Sequence, residues 1–179
     1  MLETERLLLR GFRADDLDAQ AAMLGDPAVM RHVGGKPITR EEAWRKLLAG
    51  PGLWALLGYG YWIVERRLDG RYLGQVGFAD FKRDMLPSIE GIPEMGWMFA
   101  VHAHGQGYAA EAAQAALGWL DGALKGQEVV AIIDPDNHPS VRVAERCGFS
   151  LRDKAIYKDQ PVLLFRRPAA SPAEATAAA

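Results

Sequence analysis

A chain of 179 residues, 49% hydrophobic and 25% charged, has the length and balance of one domain with a full core, and is short for two. A formal net charge of -2 and a pI near 6.1, without a run of Lys and Arg, exclude an electrostatic case for nucleic-acid binding. A single cysteine, Cys147, excludes an internal disulfide, the charged start Met1, Leu2, Glu3, Thr4, Glu5 is unlike a signal peptide, and no apolar run approaches the roughly 20 residues that span a bilayer, so a cytoplasmic, membrane-free protein is expected.

Leu7 to Leu9, between Arg6 and Arg10, predict a first strand over 6–12. Residues 14–24 have helical spacing, with Leu17, Ala21 and Leu24 on one face and Asp15, Asp16 and Asp18 at the positive end. Thr39 and Glu42 form a capping box for a second helix, expected to stop near Gly50 and Pro51. Strands over 60–66 and 71–81 follow, joined by an Asp69-Gly70 turn as a hairpin. A polar loop with Pro87, Gly91 and Pro93 leads to a strand over 94–101. Next come Gly105 and Gly107, and a long helix to about Leu124 that Gly126 should stop.

The apolar run Val129 to Ile133 predicts a buried strand. Asp134 to Asn137 turn the chain into a short helix ending at Gly148, and two more strands are expected over 150–158 and 162–167. Residues 168–179, rich in Ala, Ser and Pro, predict a disordered tail, leaving 1–167 as one α+β domain with a mixed sheet.

Two glycines ahead of a helix raise the question of a phosphate. A helix N-terminus offers free N–H groups and partial positive charge, and glycine lets backbone curl round an anion. A plain turn between strand and helix is the alternative. A P-loop is excluded, because no lysine occurs between Arg83 and Lys125. Gly105-x-Gly107-x-x-Ala110 matches a dinucleotide fingerprint as a string, but a predicted antiparallel hairpin precedes it where a parallel βαβ unit should stand.

The string HGQGYAAEA at His104 to Ala112, together with NHPSVRVAERCGF at Asn137 to Phe149 and LETERLLLR at Leu2 to Arg10, resembles the GNAT superfamily of N-acetyltransferases. More narrowly, it is similar to the branch that includes the ribosomal-protein-alanine N-acetyltransferases. The resemblance implies a mostly antiparallel central sheet flanked by helices, with a cofactor cleft between central strands. It also implies acetyl transfer from acetyl-CoA to a primary amine, a small molecule or a protein N-terminus, and leaves room for a homodimer.

On that basis the pyrophosphate would meet the backbone of Gln106, Gly107, Tyr108, Ala109 and Ala110. His104 stands where the family often has Gln or Arg. Pantetheine would run beside Phe99, Ala100 and Val101, whose strand would also supply an oxyanion donor. Asn137 would hold the pantetheine arm or cap the next helix, and Ser140 would bind cofactor and protonate the thiolate, or cap backbone. Where many members have a Tyr, this chain has Ala144. Glu94 is the favoured base, directly or through water, with a solvated carboxylate as the alternative; Glu90 is a second candidate. Glu111 fits a helix-dipole partner and Cys147 a buried hydrophobe, while Arg146 could reach the ribose phosphate. His32, His102, His104 and His138 lack metal-ligand spacing, and no metal is expected.

The acceptor side would be built from the N-terminal helices, the aromatics Trp54, Tyr59, Tyr61 and Trp62, and the 82–93 loop. Two other functions stay open: an acyl-CoA-binding sensor without catalysis, and an NAD(P)-dependent oxidoreductase.

Overall fold

The structure, a computed structural model, describes residues 1–124 and 127–169. The residue expected to stop the long helix, Gly126, and all but the first two residues of the expected tail lie outside them.

Eight strands form one sheet: β1 (Leu2–Glu3), β2 (Leu7–Arg10), β3 (Tyr61–Arg66), β4 (Tyr72–Ala79), β5 (Glu94–Phe99), β6 (Val129–Ile133), β7 (Ser150–Tyr157) and β8 (Gln160–Arg167). Their order is β1-β2-β3-β4-β5-β6-β8-β7, and every neighbouring pair is antiparallel except β5 with β6. Among the described residues five helices flank the sheet: α1 (Leu17–Leu24), α2 (Pro27–Met30), α3 (Arg40–Leu57), α4 (Tyr108–Ala123) and α5 (His138–Arg146). The α+β class and mostly antiparallel sheet agree with expectation.

Side-chain alternation sorts the two faces. Met95 and Phe99 of β5, with Val129, Ala131 and Ile133 of β6, join the core beneath α4, which contributes Ala112, Ala116 and Leu120. Met98 packs on the opposite face with Met23, Leu24, Val29 and Met30 of α1 and α2. Also on that face, Val130 and Ile132 pack under Met85 and Ile89 of the loop before β5. The covering of the face away from α4 thus comes in two pieces, helices over β5 and a loop over β6. Buried Arg10 ties β2 to the turn before α1, its Nη1 and Nη2 donating to Asp16 at 2.9 and 2.6 Å.

Four elements depart from expectation, the first being α2 over Pro27–Met30, where no helix is expected. The first strand is shorter than 6–12, and a two-residue strand β1 precedes it. Residues 101–103 form a 3-10 turn rather than the end of β5. Helix α3 does not stop at Pro51 but runs to Leu57, ending on Gly58 in left-handed backbone. Its two ends are anchored in different cores, Ala43 with α1 and α2, and Trp54 and Leu57 against the α4 core. Packing at both ends outweighs the break that proline imposes locally.

Candidate active site

Strand β5 is paired with β4 along its length, from Gly74 opposite Phe99 to Ala79 opposite Glu94. Strand β6 is likewise paired with β8 from Val129 to Ile133. Between themselves β5 and β6 share a single rung, Glu94 opposite Val130, beside which Val130 N donates to Pro93 O at 3.0 Å. Past that rung each strand keeps its outer partner and loses the other. The inner edge of β5 up to Phe99 therefore presents backbone donors and acceptors to an open split.

The mouth of the split meets the start of α4. Gly105 and Gly107 have φ of 73° and 81°, left-handed backbone that side chains resist. Gly107 is the N-cap and offers no side-chain cap, so the first N–H groups of α4 face outward without an intrahelical partner. Arg6 braces this loop: Nη1 donates to Gln106 O at 3.0 Å, Nε donates to Glu111 Oε2 at 2.7 Å, and its guanidinium lies 4.7 Å from the Tyr108 ring centre. Glu111, expected to answer the helix dipole, also accepts from Thr4 Oγ1 at 2.5 Å. His104 Nε2 donates to Phe99 O at 2.8 Å, fastening the loop to the end of β5.

On the α4 face, Asn137 caps α5, its Oδ1 accepting from Ser140 N at 3.2 Å. Ser140 Oγ does not cap; it accepts from Trp97 Nε1 at 3.3 Å, a contact that crosses from β5 to α5. The hydroxyl keeps its own proton to donate. Arg146 is exposed in the last turn of α5 and forms no ion pair among the described residues. Cys147 is buried, and that burial pushes its thiol up to about 11.

The opposite face carries two polar pairs. At the closed end, both Glu94 oxygens accept from Arg83, Oε2 from Nε at 2.5 Å and Oε1 from Nη2 at 2.7 Å. Glu94 is 5% exposed, so it is no solvated strand-end carboxylate. The Arg83 guanidinium sits 4.8 Å from the Phe81 ring centre and 4.7 Å from that of Tyr157. Burial, then the nearby Glu94 charge, pushes the Tyr61 phenol well above its ordinary value. Gly96 leaves room for that phenol, since a Cβ there would stand 2.3 Å from the Tyr61 oxygen. At the open end, His32 Nδ1 and Asp134 Oδ2 are 2.8 Å apart. Burial opposes ionisation of Asp134, yet hydrogen bonds from His32 and the Asp136 amide hold it below the usual carboxylate range.

The Acetyltransferase (GNAT) domain family matches residues 6–150. The chain belongs to the GNAT acetyltransferase family. It is 34% identical over 177 residues to the uncharacterized protein YkkB of Bacillus subtilis (strain 168), covering 93% of this chain and 94% of that one. A solved structure from Bordetella pertussis, described as a GnaT-family acetyltransferase, superposes with a TM-score of 0.81 at 32% identity, over 93% of this chain and 98% of its own. At 17% identity the fold alone is shared with RimL, a ribosomal L7/L12 α-N-protein acetyltransferase solved with coenzyme A, at a TM-score of 0.76 over 93% and 96% of the two chains. The same holds for the aminoglycoside acetyltransferase AAC(6')-Ib with coenzyme A, also 17% identical, at a TM-score of 0.73 over 90% and 94%.

In this GNAT domain the structure brings Gln106 to Ala110, Asn137 and Ser140 to one side of the β5–β6 split, and Glu94 to its closed end. The single parallel pair in the sheet is not the parallel βαβ array a dinucleotide site needs, which removes the oxidoreductase alternative. The expected aromatic walls dissolve in part: Trp54 and Trp62 pack edge-on against Trp119 of α4, at 5.1 and 5.2 Å, inside the core. The contacts of Arg6, Arg83 and the His32–Asp134 pair around the split have no counterpart in the sequence reading. For Arg6 a signal was present, since it lies in the N-terminal segment that carried the family resemblance.

Proposed function

We propose that this acetyltransferase moves the acetyl group of acetyl-CoA to a primary amine by direct attack on the thioester. The observation that carries it is the split: a free β5 edge leading to a glycine-capped helix start, with Ser140 at its side. Backbone N–H groups from Gln106 to Ala110 suit a pyrophosphate, and the exposed Arg146 suits a ribose phosphate. The inner edge of Phe99, with Ala100 and Val101 beyond it, would guide the pantetheine arm, and an amide of that edge would meet the oxyanion. Solved relatives of the same fold carry coenzyme A, which supports this placement.

Ser140 is the proposed proton donor to the thiolate, its hydroxyl oriented by Trp97. Glu94 is the expected base, directly or through water, and each of its oxygens accepts one hydrogen bond from Arg83. In the pair as it stands, Glu94 serves to hold Arg83 and the closed end of the split.

The acceptor is an amine on a small molecule or a protein N-terminus, the two classes that the names of the distant relatives carry. A cytoplasmic setting suits the single buried thiol. The test is a thiol-release assay with acetyl-CoA over a panel of N-terminal peptides, aminoglycosides and polyamines, with mass spectrometry of the product. Acceptor-dependent thiol release with an added acetyl group supports the proposal. Acetyl-CoA binding without turnover on any amine would favour a sensor instead.

A further inference from the structure

The β5–β6 split is bridged at its open end on both faces of the sheet. On the α4 face the bridge is Trp97 to Ser140. On the other face, helices α1 and α2 pack on Met98 of β5, and the loop after α2 carries His32 across to Asp134, the residue that follows β6. The two contacts, Trp97 with Ser140 and His32 with Asp134, thus lie on opposite faces of the sheet at that end.

We propose that His32, held by Asp134, is the general base that takes the proton from the acceptor amine. The proposal rests on the acetyl-transfer function above. An ionised carboxylate can only accept, so Asp134 fixes the Nδ1 atom of His32 as the donor and leaves the lone pair on Nε2. Nε2 makes no hydrogen bond among the described residues, and the side chain is 24% exposed, open enough to meet a substrate and pass a proton to solvent. Nucleophile activation by a base that a third group orients is the arrangement this chemistry calls for. Asp134 is itself anchored, its Oδ1 accepting from Asp136 N at 2.8 Å, so the carboxylate holds its direction.

The acceptor ammonium gives one proton to His32 Nε2, forming an imidazolium beside Asp134. The freed lone pair on nitrogen forms the C–N bond at the thioester carbonyl carbon as the C=O π pair moves onto oxygen, and that pair re-forms the carbonyl as the thiolate leaves. The C–S bond then breaks with its electron pair on sulfur. The second amine proton leaves the nitrogen as the amide forms and passes, through Ser140 or water, to the sulfur. The products are the acetylated amine, free thiol and one proton released from His32.

Two measurements test this, and one needs no acceptor. Long-range 15N–1H correlation NMR of the full chain, with His32 assigned through the His32→Gln variant, should show the Nδ1–H tautomer; an Nε2–H tautomer would overturn the proposal. In steady-state assays on an amine that the wild type acetylates, His32→Ala should lower kcat by about 100-fold or more. Its acetyl-CoA affinity by calorimetry should stay within about twofold, because general-base catalysis acts on the chemical step rather than on cofactor binding. Added imidazole should restore part of the lost rate. Asp134→Asn, which can keep the turn but favours the wrong tautomer, should lose kcat in the same way. Unchanged kcat in His32→Ala, or a loss that imidazole does not relieve, would overturn the assignment. Failure of the wild type to bind acetyl-CoA would instead sink the acetyl-transfer function itself.

Discussion

Arg6 and Glu111, 105 positions apart, share two hydrogen bonds and an ion pair: Arg6 N donates to Glu111 Oε1 at 3.1 Å, Arg6 Nε donates to Oε2 at 2.7 Å, and Arg6 Nη2 lies 2.6 Å from Oε2. The contact fastens the β1–β2 turn to the first turn of α4 and, through Arg6 Nη1, to the loop proposed to hold pyrophosphate. Burial works against the Glu111 charge, but the hydrogen bonds from Thr4 and Arg6 hold its carboxyl below the usual value. A carboxylate with a depressed folded pKa adds stability that is full above the unfolded pKa and is lost as pH falls through the folded one. Glu111→Gln should therefore be less stable than wild type at pH 7, with the gap closing as pH drops below about 4.5. Urea unfolding of both proteins across that range checks it, and a gap constant with pH would contradict it.

Gly107 holds φ of 81° at the start of α4, where an added Cβ meets no atom closer than Arg6 Nη2 at 3.5 Å. Gly107→Ala should therefore fold, at a cost of about 1–2 kcal/mol for the left-handed backbone. Its acetyl-CoA dissociation constant should rise about tenfold or more, equivalent to the loss of about 1.4 kcal/mol of binding. Thermal unfolding and calorimetric titration separate the two effects; unchanged binding would mean that the loop is only a turn.

Asn137 caps α5, and substitution can separate that cap from the hold on pantetheine that the family resemblance implies. Asn137→Ala removes the cap on Ser140 N and should cost about 1 kcal/mol. Asn137→Asp keeps the cap but loses the amide donor, so its stability should stay near wild type while acetyl-CoA binding weakens. Equal binding by wild type and the Asp variant would leave Asn137 a cap alone.

Arg83 and Glu94 have side chains 18% and 7% exposed, so removing either partner leaves a largely buried charge. Arg83→Ala and Glu94→Ala should each cost about 3 kcal/mol. The double variant should fall short of their sum by about 1 kcal/mol or more. A double-mutant cycle in urea measures this, and simple additivity would contradict the pairing.

Local signals made much of this legible. The Thr39–Glu42 capping box is present as read, and the Asp69-Gly70 turn closes the β3–β4 hairpin. The paired glycines before α4 did mark left-handed backbone at a helix start. What escaped depends on tertiary contact. At Gly50, next to Pro51, the Phe12 ring lies so close that a Cβ would fall 2.7 Å from it, a reason for glycine that has nothing to do with ending a helix. Asp134 was read as part of a turn, which it is, but its second carboxylate oxygen meets His32 from 102 positions away. Glu94 was read correctly as the start of β5, yet nothing local shows that Arg83 folds back onto it.

The most direct test of the central claim is calorimetric titration of the full chain with acetyl-CoA, with NADPH run in parallel. One saturable site for acetyl-CoA, weakened in Gly107→Ala, is the predicted result. Binding of NADPH, or no binding of acetyl-CoA, would contradict the assignment of the β5–β6 split as an acetyl-CoA site.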